Sequence, residues 1–138
     1  MPRIRSIKSL VRRFAMSTKA RNVLFTLSGV AGLALKGRYH GPYQAVVRSY
    51  CGNIAASFAV YFLLANLPFC VKLGRLPTAG CTLAVAGLFE ATDGFHLMTN
   101  TYDPVDYAAN AAGIGLALLA DAAASKIVHK LKPNGQSA

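Results

Sequence analysis

The sequence predicts an all-α integral membrane protein, a bundle of about four transmembrane helices preceded by a basic amphipathic helix. The 138 residues are 54% hydrophobic and only 14% charged, with a mean hydropathy of +0.37. Soluble domains carry about 25% charged residues. The apolar residues are collected into four blocks, and most basic residues lie outside those blocks. One domain fits this length.

The N-terminal arm, residues 1–21, holds seven basic residues and no acidic one. Between the basic residues, apolar residues recur at helical spacing, from Ile4 to Phe14. A helix of this kind is suited to the headgroup plane of an anionic membrane. An organelle transit peptide, which is also Arg-rich and acid-poor, is the alternative. The predicted organisation is an arm at 1–21, a transmembrane domain at 22–131 and a polar tail at 132–138.

The four apolar blocks are residues 23–35, 51–71, 78–89 and 105–128. As a helix, the first block would span only about 20 Å, against about 30 Å of hydrocarbon. It therefore crosses the membrane only if its flanking residues sit deep in the bilayer. In the second block, a full-length span, Pro68 is expected to bend or stop the helix near its end.

The basic residues predict the orientation of these spans. With four spans, twelve Lys and Arg residues fall on one side and three on the other: Lys36, Arg38 and Arg48. If the first block does not cross, the split is ten to five. The positive-inside rule therefore favours four spans with both termini cytoplasmic, in a bacterial inner membrane or, as the alternative, an organelle inner membrane. Basic residues that flank apolar blocks do not form the stripe typical of nucleic-acid binding.

All five acidic residues lie between residues 90 and 121, and four of them between residues 90 and 106. Carboxylates beside bilayer-length apolar segments are costly, so they mark a candidate functional site. Helical spacing places two of them at the end of the third span and Asp106 with Asn110 at the start of the fourth. A short loop would fold these ends together, with Asp103 and His96 at the rim. The candidate site comprises Glu90, Asp93, Asp103, Asp106 and Asn110.

This cluster has two interpretations. Carboxylate and amide oxygens suit a hard cation, so the site could hold a divalent cation or a lipid headgroup. The alternative needs no ligand: Asp103 caps a helix that opens at Pro104, Asp106 pairs with Asn110, and Glu90 is protonated and hydrogen-bonded. The three cysteines lack metal-binding spacing and are expected to be small buried apolar side chains.

The motif Glu90-x2-Asp93, followed by Tyr102-Asp103-Pro104-x-Asp106-x3-Asn110-x2-Gly113, resembles the signature of the VanZ-like family of small four-span membrane proteins. Ser57-x3-Tyr61-x2-Leu64 lies where that family has His-x3-Tyr-x2-Leu. The resemblance covers residues 51–121, about half the chain. It implies a four-span bundle with a small polar site where the third and fourth spans meet.

The chain differs from the family pattern at the positions that carry its most reactive side chains. Asn53 stands at the family's Asp position, Ser57 at its His position and Asp93 at its Gln position, and residues 94–102 contain no Arg. These departures favour a role in which the helix packing of the family is retained but any catalytic activity of the family is not.

No complete catalytic set is present: the sequence has no HExxH motif, no Gly-rich phosphate loop and no Ser-His-Asp arrangement. We therefore expect a structural or accessory subunit of a larger membrane complex, not an enzyme. Its expected partners are other membrane protein subunits and anionic lipids, without nucleic acid. Small-x3-small spacings suit close helix packing: Ala109-x3-Gly113, Ala111-x3-Gly115 and Ala120-x3-Ala124. The alternative is a stand-alone VanZ-like protein whose acidic site binds a cation or a lipid headgroup, and no other cofactor is predicted.

Overall fold

The computed structural model describes residues 17–92 and 103–131. In these ranges the regular structure is entirely helical, which confirms the all-α prediction. The helices are α1 (Thr18–Lys36), α2 (Gln44–Leu64), α3 (Pro68–Leu73), α4 (Arg75–Ala91) and α5 (Pro104–Leu131). The predicted amphipathic helix up to residue 16, Asp93 and His96, and the polar tail lie outside the described residues.

Helix α1 extends beyond the first apolar block at both ends. The Ser17 hydroxyl accepts a hydrogen bond from the Ala20 amide at 3.3 Å and caps the helix. The cap satisfies an amide that would otherwise lack a partner, so the helix begins at Thr18 and includes residues 18–21, which the sequence-based division places in the arm. With 19 residues, α1 is about 28 Å long, close to the thickness of the hydrocarbon layer.

The predicted second span, 51–71, is wrong at both ends. Helix α2 begins at Gln44, because the polar residues before Cys51 form regular helical turns, and it ends at Leu64. Of the two expectations for Pro68, bending or stopping the helix, the structure shows the second: the helix stops four residues before it. Pro68 opens the separate six-residue α3, since a residue without an amide hydrogen fits the first helical position. Gly74 then joins α3 to α4 with φ +90°, a conformation that favours glycine.

Helix α2 lies at the centre of the bundle, where it packs against α1, α5 and α4. Helix α5 also packs against α4, and α3 packs against α4. The buried core consists of Tyr61 and Phe62 on α2, Ala79 on α4, and Ile114 and Ala117 on α5. Phe25 of α1 stacks on Phe62 with ring centroids 4.6 Å apart, which joins α1 to this core.

Many large apolar side chains point away from this small core. On α1, Leu24 and Leu27 are more than half exposed, and on α5 Leu119 is 69% exposed. By length and composition, two of the described helices can cross a membrane: Gln44–Leu64 and Pro104–Lys130. Only 28% and 22% of these stretches is buried inside the bundle. Exposed apolar surface on this scale indicates insertion into a membrane.

The interface between α2 and α5 depends on Gly113. A Cβ atom at Gly113 would collide with the Ser57 hydroxyl and with the Ile54 carbonyl oxygen. At Gly115, two residues along the same helix, an added Cβ atom meets nothing within 4 Å. Of the small-residue pairs in the sequence, Ala109-x3-Gly113 therefore faces α2, whereas Gly115 does not make a close approach.

We predict that Gly113→Ala destabilises the bundle by about 1–3 kcal/mol, because overpacking displaces a backbone carbonyl. Gly115→Ala is the matched control and should be neutral or stabilising by up to about 1 kcal/mol, from the lower conformational entropy of alanine in the unfolded chain. Chemical unfolding in detergent micelles measures both changes. Equal effects of the two substitutions would mean that α2 and α5 do not pack through Gly113.

Candidate functional site

The predicted polar site lies at the end of the bundle where α2 begins and α5 begins. Its shortest contact joins these helices: the Asn53 side-chain amide donates to Asp106 Oδ1 at 2.6 Å. Asp106 is only 8% exposed. A hydrogen bond to a carboxylate is stronger than one between neutral groups, so this contact stabilises the α2–α5 interface.

Two further contacts connect the same end of the bundle. Asn110 of α5 donates to Glu90 of α4, with its Nδ2 3.5 Å from Glu90 Oε1. The Tyr50 hydroxyl of α2 donates to Asp103 Oδ2 at 3.3 Å, and Asp103 Oδ1 accepts from the Val105 amide at 2.9 Å. The prediction that Asp103 caps a helix opening at Pro104 is confirmed.

Ser57 lies one turn deeper, facing Gly113. Its side chain is almost fully buried, and its hydroxyl donates to the Asn53 carbonyl oxygen at 2.7 Å. A serine that bonds to the preceding turn of its own helix has its donor satisfied without a ligand. This hydroxyl has no neighbouring base that would activate it as a nucleophile in any contact of the described residues.

The structure corrects the expected pairing within this cluster. Asp106 pairs with Asn53 rather than with Asn110, because α2 lies against the start of α5 and brings Asn53 within reach. Asn110 instead contacts Glu90. The sequence-based site thus holds four described members, Glu90, Asp103, Asp106 and Asn110, at one end of the bundle.

Sequence reasoning left the contribution of α2 out of the site. Tyr50, Asn53 and Ser57 are spaced i, i+3, i+7 and therefore lie on one helix face. That spacing is a signal available in the sequence, although of the three residues only Tyr50 lies outside the predicted span 51–71. Within 17–92 and 103–131, no group of three His, Cys, Asp or Glu side chains is arranged to hold a metal ion.

A second polar cluster lies at the opposite end of the bundle, around Asp121 of α5. Asp121 Oδ1 accepts from Arg21 Nη2 of α1 at 2.5 Å, and Oδ2 accepts from Arg75 Nε of α4 at 2.8 Å. The Tyr61 hydroxyl of α2 donates to Oδ2 at 3.2 Å. One carboxylate therefore connects all four long helices. We call Arg21, Tyr61, Arg75 and Asp121 the arginine cluster.

The two arginines of this cluster differ in burial and in how fully they are bonded. The Arg21 side chain is 13% exposed, and its other contacts are with the Asn22 side-chain oxygen at 2.9 Å and the Ser125 hydroxyl at 3.2 Å. The Arg75 side chain is 48% exposed. Among the described residues, Arg75 makes one side-chain hydrogen bond, from Nε to Asp121.

Local spacing does not reveal the arginine cluster, because Arg21 and Asp121 are 100 residues apart. One signal could have revealed it. The four-span orientation places the arm, the 72–77 loop and the end of the fourth span on the same side of the membrane. A carboxylate inside that last span needs a charged partner, and Arg21 and Arg75 lie on that side.

Scans of the chain against family models, curated proteins and solved structures find no match.

We predict that Arg21→Gln destabilises the protein by about 3 kcal/mol, because it removes one partner of a buried carboxylate. Arg75→Gln should cost about 1 kcal/mol or less, since an exposed ion pair contributes little. Arg38→Gln, on the exposed loop at the other end, is the charge-matched control and should change stability by less than about 0.5 kcal/mol. Chemical unfolding in detergent measures all three. A larger loss for Arg75 than for Arg21 would contradict this ranking.

Proposed function

We propose that the chain is a four-span membrane protein, with both termini cytoplasmic, that serves as a structural or accessory subunit of a larger membrane complex. Helices α1, α2, α4 and α5 are the spans, and α3 is a short connecting helix. The two polar clusters support this arrangement. Asp106 and Asp121 are 15 residues apart on α5, about 22 Å along the helix axis, and the core of the bundle lies between them.

The charge distribution of the described residues supports the orientation. Three basic residues lie at the Asp106 end, and six lie at the Asp121 end: Lys19, Arg21, Lys72, Arg75, Lys126 and Lys130. An excess of Lys and Arg marks the cytoplasmic side of a membrane protein, so the arginine cluster would face the cytoplasm. The bacterial inner membrane is the location we propose.

The structural role rests on one observation: every described carboxylate is bonded within the fold. Glu90 contacts Asn110, Asp103 caps α5, Asp106 pairs with Asn53, and Asp121 is held by two arginines. These contacts connect helices to one another. Hydrogen bonds of this kind between helices stabilise a scaffold.

A surface suited to partner helices lies on α4. Gly80 and Ala84 are spaced i, i+4 and lie on one face of the helix, whereas a Cβ atom at Gly87 would lie 3.7 Å from the Tyr107 ring of α5. Gly80 and Ala84 are exposed, and a Cβ atom added at Gly80 would meet nothing within 4 Å. Small residues let a neighbouring helix approach closely within lipid.

We predict that Ala84→Leu reduces recovery of the partner subunits that purify with the tagged chain in mild detergent, because the larger side chain blocks close helix approach. Ala31→Leu makes the same substitution on the exposed face of α1 and is the control. Quantitative mass spectrometry of the purified material compares the two variants with the native sequence. A stable monomer with no partner in any sample would contradict the accessory role.

The four-span orientation makes a separate prediction for cysteine labelling. In a background of Cys51→Ser, Cys70→Ala and Cys81→Ser, single cysteines replace Ser17, His40 or Lys72. A membrane-impermeant maleimide applied to spheroplasts should then react only at position 40, which lies between α1 and α2.

If only α2 and α5 cross the membrane, position 40 lies on the same side as position 17, and position 72 reacts instead. Reaction of all three positions after permeabilisation shows that each cysteine is accessible to the reagent.

The second candidate function is a stand-alone VanZ-like protein with a small polar site, which could bind a cation or a lipid headgroup. It is favoured by the position of the motif residues. Asn53, Ser57, Asp106, Asn110 and Gly113 come from two helices and meet at one end of the bundle, with Glu90 of α4 beside them. Purification of the native sequence as a stable monomer without partners would favour this candidate over the first.

A further inference from the structure

The arginine cluster carries one more positive charge than it can neutralise. Two guanidinium groups share the single carboxylate of Asp121, and Tyr61 adds another donor to the same carboxylate. Lys19, Lys72 and Lys126 are exposed near this end of the bundle. An excess of positive charge at the membrane interface attracts anions, so this region favours an anionic ligand.

The bonding of the two arginines indicates where the anion would bind. Arg21 is nearly buried, and its nitrogens contact Asn22, Asp121 and Ser125. Arg75 contributes only Nε to Asp121, and its half-exposed side chain keeps both terminal nitrogens available. A guanidinium held on one edge and available on the other is oriented to donate two hydrogen bonds to a phosphate group.

The surroundings of Arg75 favour the same ligand. Arg75 is the first residue of the 17-residue helix α4, and no side chain caps that helix end. The positive end of the helix dipole therefore lies at the residue that carries the guanidinium. Basic pockets between transmembrane helices on the cytoplasmic side are known to suit lipid phosphates.

We propose that Arg75, oriented by Asp121, binds the phosphate of an anionic phospholipid at the cytoplasmic edge of the bundle. This inference rests on the membrane orientation proposed above. It differs from the general attraction of the basic arm to anionic membranes, because it assigns a single site to one side chain. Asp121 is the positioning residue: its two oxygens fix both arginines, and only Arg75 remains available to a ligand.

The test is native mass spectrometry of the full chain in detergent, titrated with phosphatidylglycerol. Arg75→Gln should weaken binding of the first lipid by at least about tenfold, which corresponds to about 1.4 kcal/mol. Arg75→Lys should also weaken it, since lysine keeps the charge but cannot bind phosphate through two parallel hydrogen bonds. Lys72→Gln removes one exposed charge three residues away and should have a clearly smaller effect. Phosphatidylcholine serves as the neutral lipid control.

Several outcomes would overturn the proposal. Equal losses in Arg75→Gln and Lys72→Gln would indicate diffuse charge attraction, and unchanged binding by Arg75→Lys would rule out the two-bond geometry. Displacement of phosphatidylglycerol by millimolar inorganic phosphate would identify a free anion as the ligand. A circular dichroism spectrum checks that each variant is folded. The titration is made in detergent, so a failure here is distinguishable from a failure of the topology tested by cysteine labelling.

Discussion

The arrangement of the helices depends on the Asp121 carboxylate. It is the one described acceptor that receives hydrogen bonds from α1, α2 and α4 together, through Arg21, Tyr61 and Arg75. A buried carboxylate is costly unless it is paired. The oxygens of Asp121 find these partners only when the three other helices occupy their native positions. Apolar contacts alone specify helix register poorly inside lipid, because lipid tails are as apolar as the side chains they replace. Asp121 therefore supplies the specificity that the small core lacks.

The opposite end of the bundle is held by a different kind of contact. Asn53 with Asp106, and Asn110 with Glu90, join an amide to a carboxylate, and no ion pair with Lys or Arg is present there among the described residues. Close packing compensates, since Gly113 lets the α5 backbone approach Ser57 and Ile54. The two ends are therefore stabilised differently. Ion pairs fix the positions of α1 and α4 at the Asp121 end, and close packing at Gly113 fixes α2 against α5 at the Asp106 end.

The sequence predicted the helical class and the order of the apolar segments, because composition and block length determine both. It grouped Asp103, Asp106 and Asn110, since they are close in sequence and their spacing defines one helix face, but the expected pairing of Asp106 with Asn110 was wrong. The predicted boundaries of α2 were wrong, because Gln44, Arg48 and Ser49 are polar and were assigned to a loop. In the structure they belong to the first turns of the helix. The pairings to Asn53 and Arg21 could not be read from local spacing, since each depends on which helices become neighbours.

The positive residues that would orient the chain in the membrane are also the ones that hold it together. In the proposed orientation Arg21 and Arg75 add to the basic charge of the cytoplasmic side, and both bind Asp121. An inverted insertion of α1 or of α4 would move one arginine to the far end of the bundle, about 22 Å from the carboxylate. It would leave Asp121 with a single guanidinium, at a cost of about 3 kcal/mol where the nearly buried Arg21 is lost and of about 1 kcal/mol or less where the half-exposed Arg75 is lost. Orientation and packing are therefore coupled through one side chain, so a correctly inserted chain is also the one whose helices can close around Asp121.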